Sequence, residues 1–276
     1  MVRQAAEVNH TENKSLAREL VPADQEPAFK NEISITVEGE ERIIRSNDVP
    51  NHKIGKFPHA GNPDTMTEQE VEIKLPLHPT VSPQAIPARK AVGILLNGVY
   101  IESGTGEFWS GTGKSQPWNY EALGGALDFG LDENYAHVQP GGKYHYHGKP
   151  TGLLQELSLS ADKHSPLVGW AFDGFPIYAI YGYSDPEKVD SKIVEMTSSY
   201  RLKSGERPTL PDGPGGTYDG SFTVDYEYVE GLGTLDECNG CITKSPRISR
   251  RHLRLFYHES MARHLPKLPR NSCGRS

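Results

Sequence analysis

The chain has 276 residues, with 29 Lys and Arg against 36 Asp and Glu, a formal net charge of −7. It lacks the basic surplus that phosphate-backbone binding requires, so nucleic acid is excluded as a general partner, and a cation or neutral ligand suits it better. A hydrophobic content of 36% permits a core, but no window approaches the roughly 20 apolar residues of a membrane span. The 28 Gly, 21 Pro and 13 Tyr predict many short strands joined by tight turns.

In chain order, residues 1–30 are polar, carry charges of both signs and show no sustained period, as in a mobile N-terminal arm. No apolar leader stands in this stretch. From Asn31 the pattern changes. Ile33, Ile35 and Val37 alternate with polar residues ahead of Gly39, and Val71, Ile73 and Leu75 alternate again, each predicting a half-buried strand. Pro76, Pro79, Pro83 and Pro87 then mark a surface connection. The apolar run from Ala91 to Ile101, broken by Asn97-Gly98, predicts a buried hairpin with a type I′ turn. Trp109, Trp118 and Tyr120, set among Gly, Ser and Asn, serve either to anchor a long loop to the core or to stack on a sugar.

Further on, Thr151–Leu159 predicts a short helix burying Leu153, Leu154 and Leu157. Asp185–Met196 predicts a second, capped by Ser184 or Asp185. Between them Gly169–Tyr183 predicts a core strand interrupted by the turn Asp173-Gly174. Ser204–Gly220 is loop, and Tyr226 and Tyr228 alternate once more. The expected fold is mainly β, with many short antiparallel strands in a sandwich- or barrel-like arrangement and one or two short helices. The expected domains are the arm 1–30, a body 31–246 and a tail 247–276.

The tail stands apart because it holds eight Lys and Arg against Glu259 alone. Permissible codons for it, read after dropping one nucleotide at Arg247, encode a strand-like alternation of aromatic and polar residues, and Met261-Ala262 forces a Trp in that frame. The tail is therefore read as out-of-frame translation. Gene codons incompatible with the alternative text overturn that reading.

The densest chemistry lies between Leu127 and Leu153. Tyr144-His145-Tyr146-His147 alternates with period two, so on a strand both histidines face one side and both tyrosines the other. Their spacing of roughly 6.5–7 Å lets two imidazoles converge on one ion. Pro140-Gly141-Gly142 supplies a turn that returns His137 to their side. Three neutral imidazoles suit Zn or Cu, with Asp128, Asp132, Glu133 or Asp173 completing the shell or orienting the rings. The competing interpretation is a hydrogen-bonded strand face with structural histidines, in a non-enzymatic module that binds a glycan or surface ligand; the partner expected on either reading is a small molecule or a glycan. Cys238-Asn239-Gly240-Cys241 predicts a turn carrying a local disulfide or two inert thiols.

The same stretch carries a family resemblance. The segments ALDFGLDENYAHVQPGGKYHYHGKPTGLL, GWAFDGFPIYAIYGYSDP, SSYRLKSGERP and GLGTLDECNG resemble the YHYH domain family, whose name is the tetrapeptide at 144–147. The resemblance covers about 31–246. It implies a bacterial, extracytoplasmic protein and brings no reaction with it.

Overall fold

The computed structural model describes residues 19–81, 91–109, 117–245 and 248–256. The arm before Glu19, the centre of the proline-rich connection and the end of the tail lie outside them.

The described residues form one large sheet and three small ones. Strands β1 (Ile33–Glu38), β2 (Glu41–Ser46) and β3 (Val71–Pro76) form an antiparallel meander. There follow β4 (Ala91–Leu95), β5 (Tyr100–Glu102), β6 (Ala136–Val138), β7 (Tyr144–Tyr146), helix α1 (Thr151–Glu156), β8 (Leu167–Ala171) and β9 (Pro176–Tyr178). Next come β10 (Tyr181–Tyr183) with β11 (Ile193–Glu195), and β12 (Tyr200–Leu202) with β13 (Tyr226–Tyr228), two antiparallel pairs. Last are β14 (Gly240–Ser245) and β15 (Ile248–Phe256). The large sheet has the order β14-β15-β9-β8-β4-β5-β7-β6. Its ends do not pair, so it is not a closed barrel. Two of its pairings, β15 with β9 and β5 with β7, are parallel.

The faces of this sheet are divided by the strand alternation. Ile94 and Trp170 point toward Ile44, Val71 and Leu75 of the small meander, a sheet-on-sheet contact of the sandwich kind. Ile101, Ala136, Val138, Tyr144 and Tyr146 point the other way, into the main core with Leu153 and Leu154 of α1. Asn134 Oδ1 accepts the Gly152 N–H in the first turn of α1 at 2.8 Å, supplying a cap that Pro150 cannot.

Several local expectations meet corrections. The β4–β5 hairpin forms, but Asn97 keeps a negative φ and only Gly98 is positive, at 81°. With Gly98 N–H bonded to Leu95 C=O at 2.9 Å, the connection is a turn ending in a glycine bulge rather than type I′. Gly169–Tyr183 is interrupted at Asp173-Gly174 as expected, with β8 and β9 paired across that turn, and its last three residues form a further strand, β10, paired with β11. The predicted helix over Asp185–Met196 is absent. Asp185 does accept the N–H of Glu187, at 2.9 Å, but it closes a turn, and the β-branched pair Ile193-Val194 continues as β11. The first helix is shorter than expected, ending at Glu156.

Residues from Glu19 onward are anchored. Val21 N–H donates to Leu131 C=O at 2.9 Å and Val21 C=O accepts the Glu133 N–H at 3.0 Å, and Gln25 pairs with Ile54. Within the basic tail, Ile248–Phe256 supplies β15, and Leu255 and Phe256 are buried.

Candidate metal centre

The turn through Gly141 (φ 97°) and Gly142 (φ 82°) brings β6 back antiparallel to β7. A Cβ on Gly142 would lie 2.1 Å from Thr67 Oγ1, so this position requires glycine both for its conformation and for space. The register sets His137 directly opposite His145. Alternation along β7 then separates two polar layers.

On the core side each tyrosine hydroxyl has a buried partner. Tyr144 donates to Asp132 Oδ2 at 2.8 Å, and Asp132 also accepts the N–H groups of Gly55 and Asn134, at 2.9 and 2.8 Å. His52 Nδ1 donates to Lys53 C=O at 2.8 Å, leaving Nε2 to accept the Tyr146 hydroxyl at 2.6 Å. Asn97 donates to the same hydroxyl at 2.9 Å. Burial pushes the Asp132 carboxyl up, and its donors pull it back.

On the opposite side the three imidazoles point at one another. Their Nε2 atoms lie 3.2 Å (His137 to His145), 2.9 Å (His145 to His147) and 3.2 Å (His147 to His137) apart. His137 Nδ1 donates to Phe129 C=O at 2.7 Å, which fixes its tautomer and turns the Nε2 lone pair inward. His145 and His147 are each 2% exposed. Burial holds all three below the ordinary histidine range, His145 and His147 well below it, and repulsion from the neighbouring imidazoles adds to the effect at these two. The cluster is thus a set of neutral nitrogen donors at neutral pH. It could hold a metal ion.

The triad floors a cavity of about 530 Å³ whose wall includes Asn62, Asp128, Phe129 and Gln139. Among the described carboxylates Glu102 is the one that comes within 4.0 Å of a triad nitrogen, with Oε2 3.9 Å from His145 Nε2. Lys143 Nζ bonds its Oε1 at 2.8 Å and lies 3.8 Å from the centre of the Tyr100 ring. Asp48 is fully buried nearby. Burial pushes its carboxyl up to about 8, against the opposing pull of Lys143.

The expected histidines therefore come together, and the expected carboxylates do not. Asp132 serves the tyrosine layer. Glu133 accepts the Ala23 N–H, Asp173 sits in the β8–β9 turn accepting from Phe175 N–H, and Asp128 stands in the cavity wall. None joins the convergent set. Glu102 was invisible to local pattern because it reaches the site through the parallel pairing of Tyr100 with His145, which no short-range spacing encodes.

The cysteine pair also departs from expectation. Asp236 Oδ1 accepts the N–H groups of Cys238 and Gly240, both at 2.8 Å, and forms the anticipated turn. Cys238 nevertheless remains a buried thiol, while Cys241 is disulfide-bonded, so the two sulfurs are not joined to each other. Trp118 is a loop anchor rather than an open stacking face: it is 5% exposed, donates to Asp212 C=O at 2.9 Å and meets Phe222 edge-on.

Among the described residues no helix is long and apolar enough to cross a membrane. No curated protein and no solved structure matches the chain. A family model described as YHYH protein matches residues 72–272, a span that contains the histidine strand, its glycine turn and the partner strand, and the chain belongs to that family.

Proposed function

We propose that this chain is a metal-binding protein in which His137, His145 and His147 hold one first-row transition ion, Zn or Cu, with an open position facing the cavity. One observation carries the reading, the convergence of three buried neutral Nε2 atoms within 2.9–3.2 Å of one another. A tetrahedral ion with Zn–N bonds of about 2.0–2.1 Å separates its ligands by about 3.3–3.4 Å. Adjustments of a few tenths of an ångström bring the rings to that geometry. Three protein ligands with one exchangeable position are the pattern of sites that act on a ligand, whereas purely structural zinc sites are closed.

Hydrogen bonding accounts for the arrangement less well. His137 is committed as an acceptor at Nε2, and a proton placed between His145 and His147 leaves that acceptor facing further nitrogen lone pairs. A bound cation satisfies all three at once.

The test is elemental analysis by plasma mass spectrometry of the full chain beside His145→Ala/His147→Ala. About one equivalent of Zn or Cu in the parent, lost in the variant, is the expected result. Absence of metal from the parent after reconstitution with either ion rejects the proposal.

A further inference from the structure

We propose that Glu102, clamped by Lys143, is the positioning carboxylate of this centre, accepting a hydrogen bond from the water molecule that occupies the ion's open position. The inference rests on the reading of the triad as a metal centre and adds a residue and a role to it.

Strand parity places Glu102 on the histidine side. Tyr100 pairs in parallel with His145, so the two side chains share a face, and residues two along share it as well. Glu102 and Lys143 are therefore delivered to the histidine side by backbone alone. There Lys143 occupies Oε1 at 2.8 Å, and the Tyr100 ring beneath the ammonium restrains it. The remaining oxygen, Oε2, is directed to the imidazoles. Both side chains are largely buried, at 10% exposed for Glu102 and 18% for Lys143, which makes the pair geometrically fixed in a way that surface pairs are not.

The distance distinguishes the role. Oε2 lies 3.9 Å from His145 Nε2, longer than the about 3.3 Å edge between ligands of one tetrahedral ion. Glu102 also falls outside the set of side chains whose ligand atoms lie mutually within 4.8 Å. A carboxylate one step beyond the coordination shell accepts from a coordinated water and fixes its orientation, and such outer partners tune a metal as strongly as many ligands do. Of the other acids in the cavity wall, Asp128 already accepts the Gly130 N–H at 3.0 Å. Glu107 acts on His137 electrostatically, ahead of Glu102 there, but among the described acids only Glu102 brings a carboxylate oxygen within 4.0 Å of a triad nitrogen.

The experiment titrates Zn²⁺ into the metal-free full chain against a chromogenic chelator. It compares the parent, Glu102→Gln, Lys143→Met and His145→Ala/His147→Ala, and records the visible spectrum of each Co²⁺-loaded form. Glu102→Gln should weaken Zn²⁺ binding by about 10- to 100-fold and keep the intense absorption of four-coordinate Co²⁺. Lys143→Met should weaken it in the same direction, since it frees Glu102 from its clamp, and it carries the test should Glu102→Gln not fold. Affinity within twofold of the parent in Glu102→Gln, with binding lost in the double histidine variant, overturns the role of Glu102 and leaves the centre standing. A changed Co²⁺ coordination number in Glu102→Gln makes Glu102 a direct ligand and also overturns it. A parent that binds no Zn²⁺ removes the centre and this role together.

Discussion

The two faces of β7 carry equally polar side chains and treat them in opposite ways. On the tyrosine face every hydroxyl is matched to a partner supplied by the protein, Asp132 for Tyr144 and His52 with Asn97 for Tyr146. On the histidine face the inward nitrogens meet only each other. A satisfied buried network fixes a fold, because every member would be costly to leave unpaired. A buried cluster of like acceptors leaves that cost outstanding and invites a partner from outside the chain. The same tetrapeptide thus holds scaffold and site on β7 and the one residue that follows it.

The comparison is broken most completely on the histidine side. His145→Ala/His147→Ala should abolish stoichiometric metal while leaving the tyrosine network intact, which elemental analysis and apo-protein unfolding report together. On the tyrosine side Asp132→Ala strands the donors of Tyr144, Gly55 and Asn134. Stability should fall by about 3 kcal/mol or more, read from the urea midpoint, and a loss below about 1 kcal/mol counts against this network as scaffold. Tyr146→Phe removes one hydroxyl from His52 and Asn97. It should cost about 1–3 kcal/mol and leave metal stoichiometry as in the parent; a variant that loses its metal would join the two faces that we separate.

The smallest effect concerns Asp48, beneath the clamp. Its folded carboxyl titrates at about 8, against about 3.9 in an unfolded chain. Between those values the folded state binds more protons, so stability falls as pH rises, with the contribution full below about pH 4 and lost through about pH 8. Asp48→Asn should flatten that decline between about pH 5 and about pH 9. An unchanged slope in urea midpoints would show that Asp48 is not its source.

What was legible in the sequence follows from what is local. The His145–His147 alternation, the glycine return of His137 and the Asn97-Gly98 hairpin all depend on neighbours within a few residues, and each is present. The missed features are long-range. Glu102 needs a parallel strand pairing, and Asp132 had no local sign telling which face of β7 it would serve. The false helix at Asp185–Met196 shows a related limit, since an Asp that accepts from the N–H two residues on marks a helix start and a tight turn alike. There the pairing of Ile193 with Tyr183 decided between them.

The parallel pairing of β5 and β7 has one more consequence, for how this architecture can diversify. Parallel neighbours cannot be joined by a tight turn, so the chain must leave the sheet after Glu102 and travel before it returns. That single excursion carries Asp128 and Phe129, which stand in the cavity wall, while the floor is supplied by the sheet. Wall and floor are therefore separately editable except at Phe129, whose carbonyl orients His137. Insertions or deletions in the excursion can reshape what the cavity admits, while the strands that aim the three imidazoles keep their register.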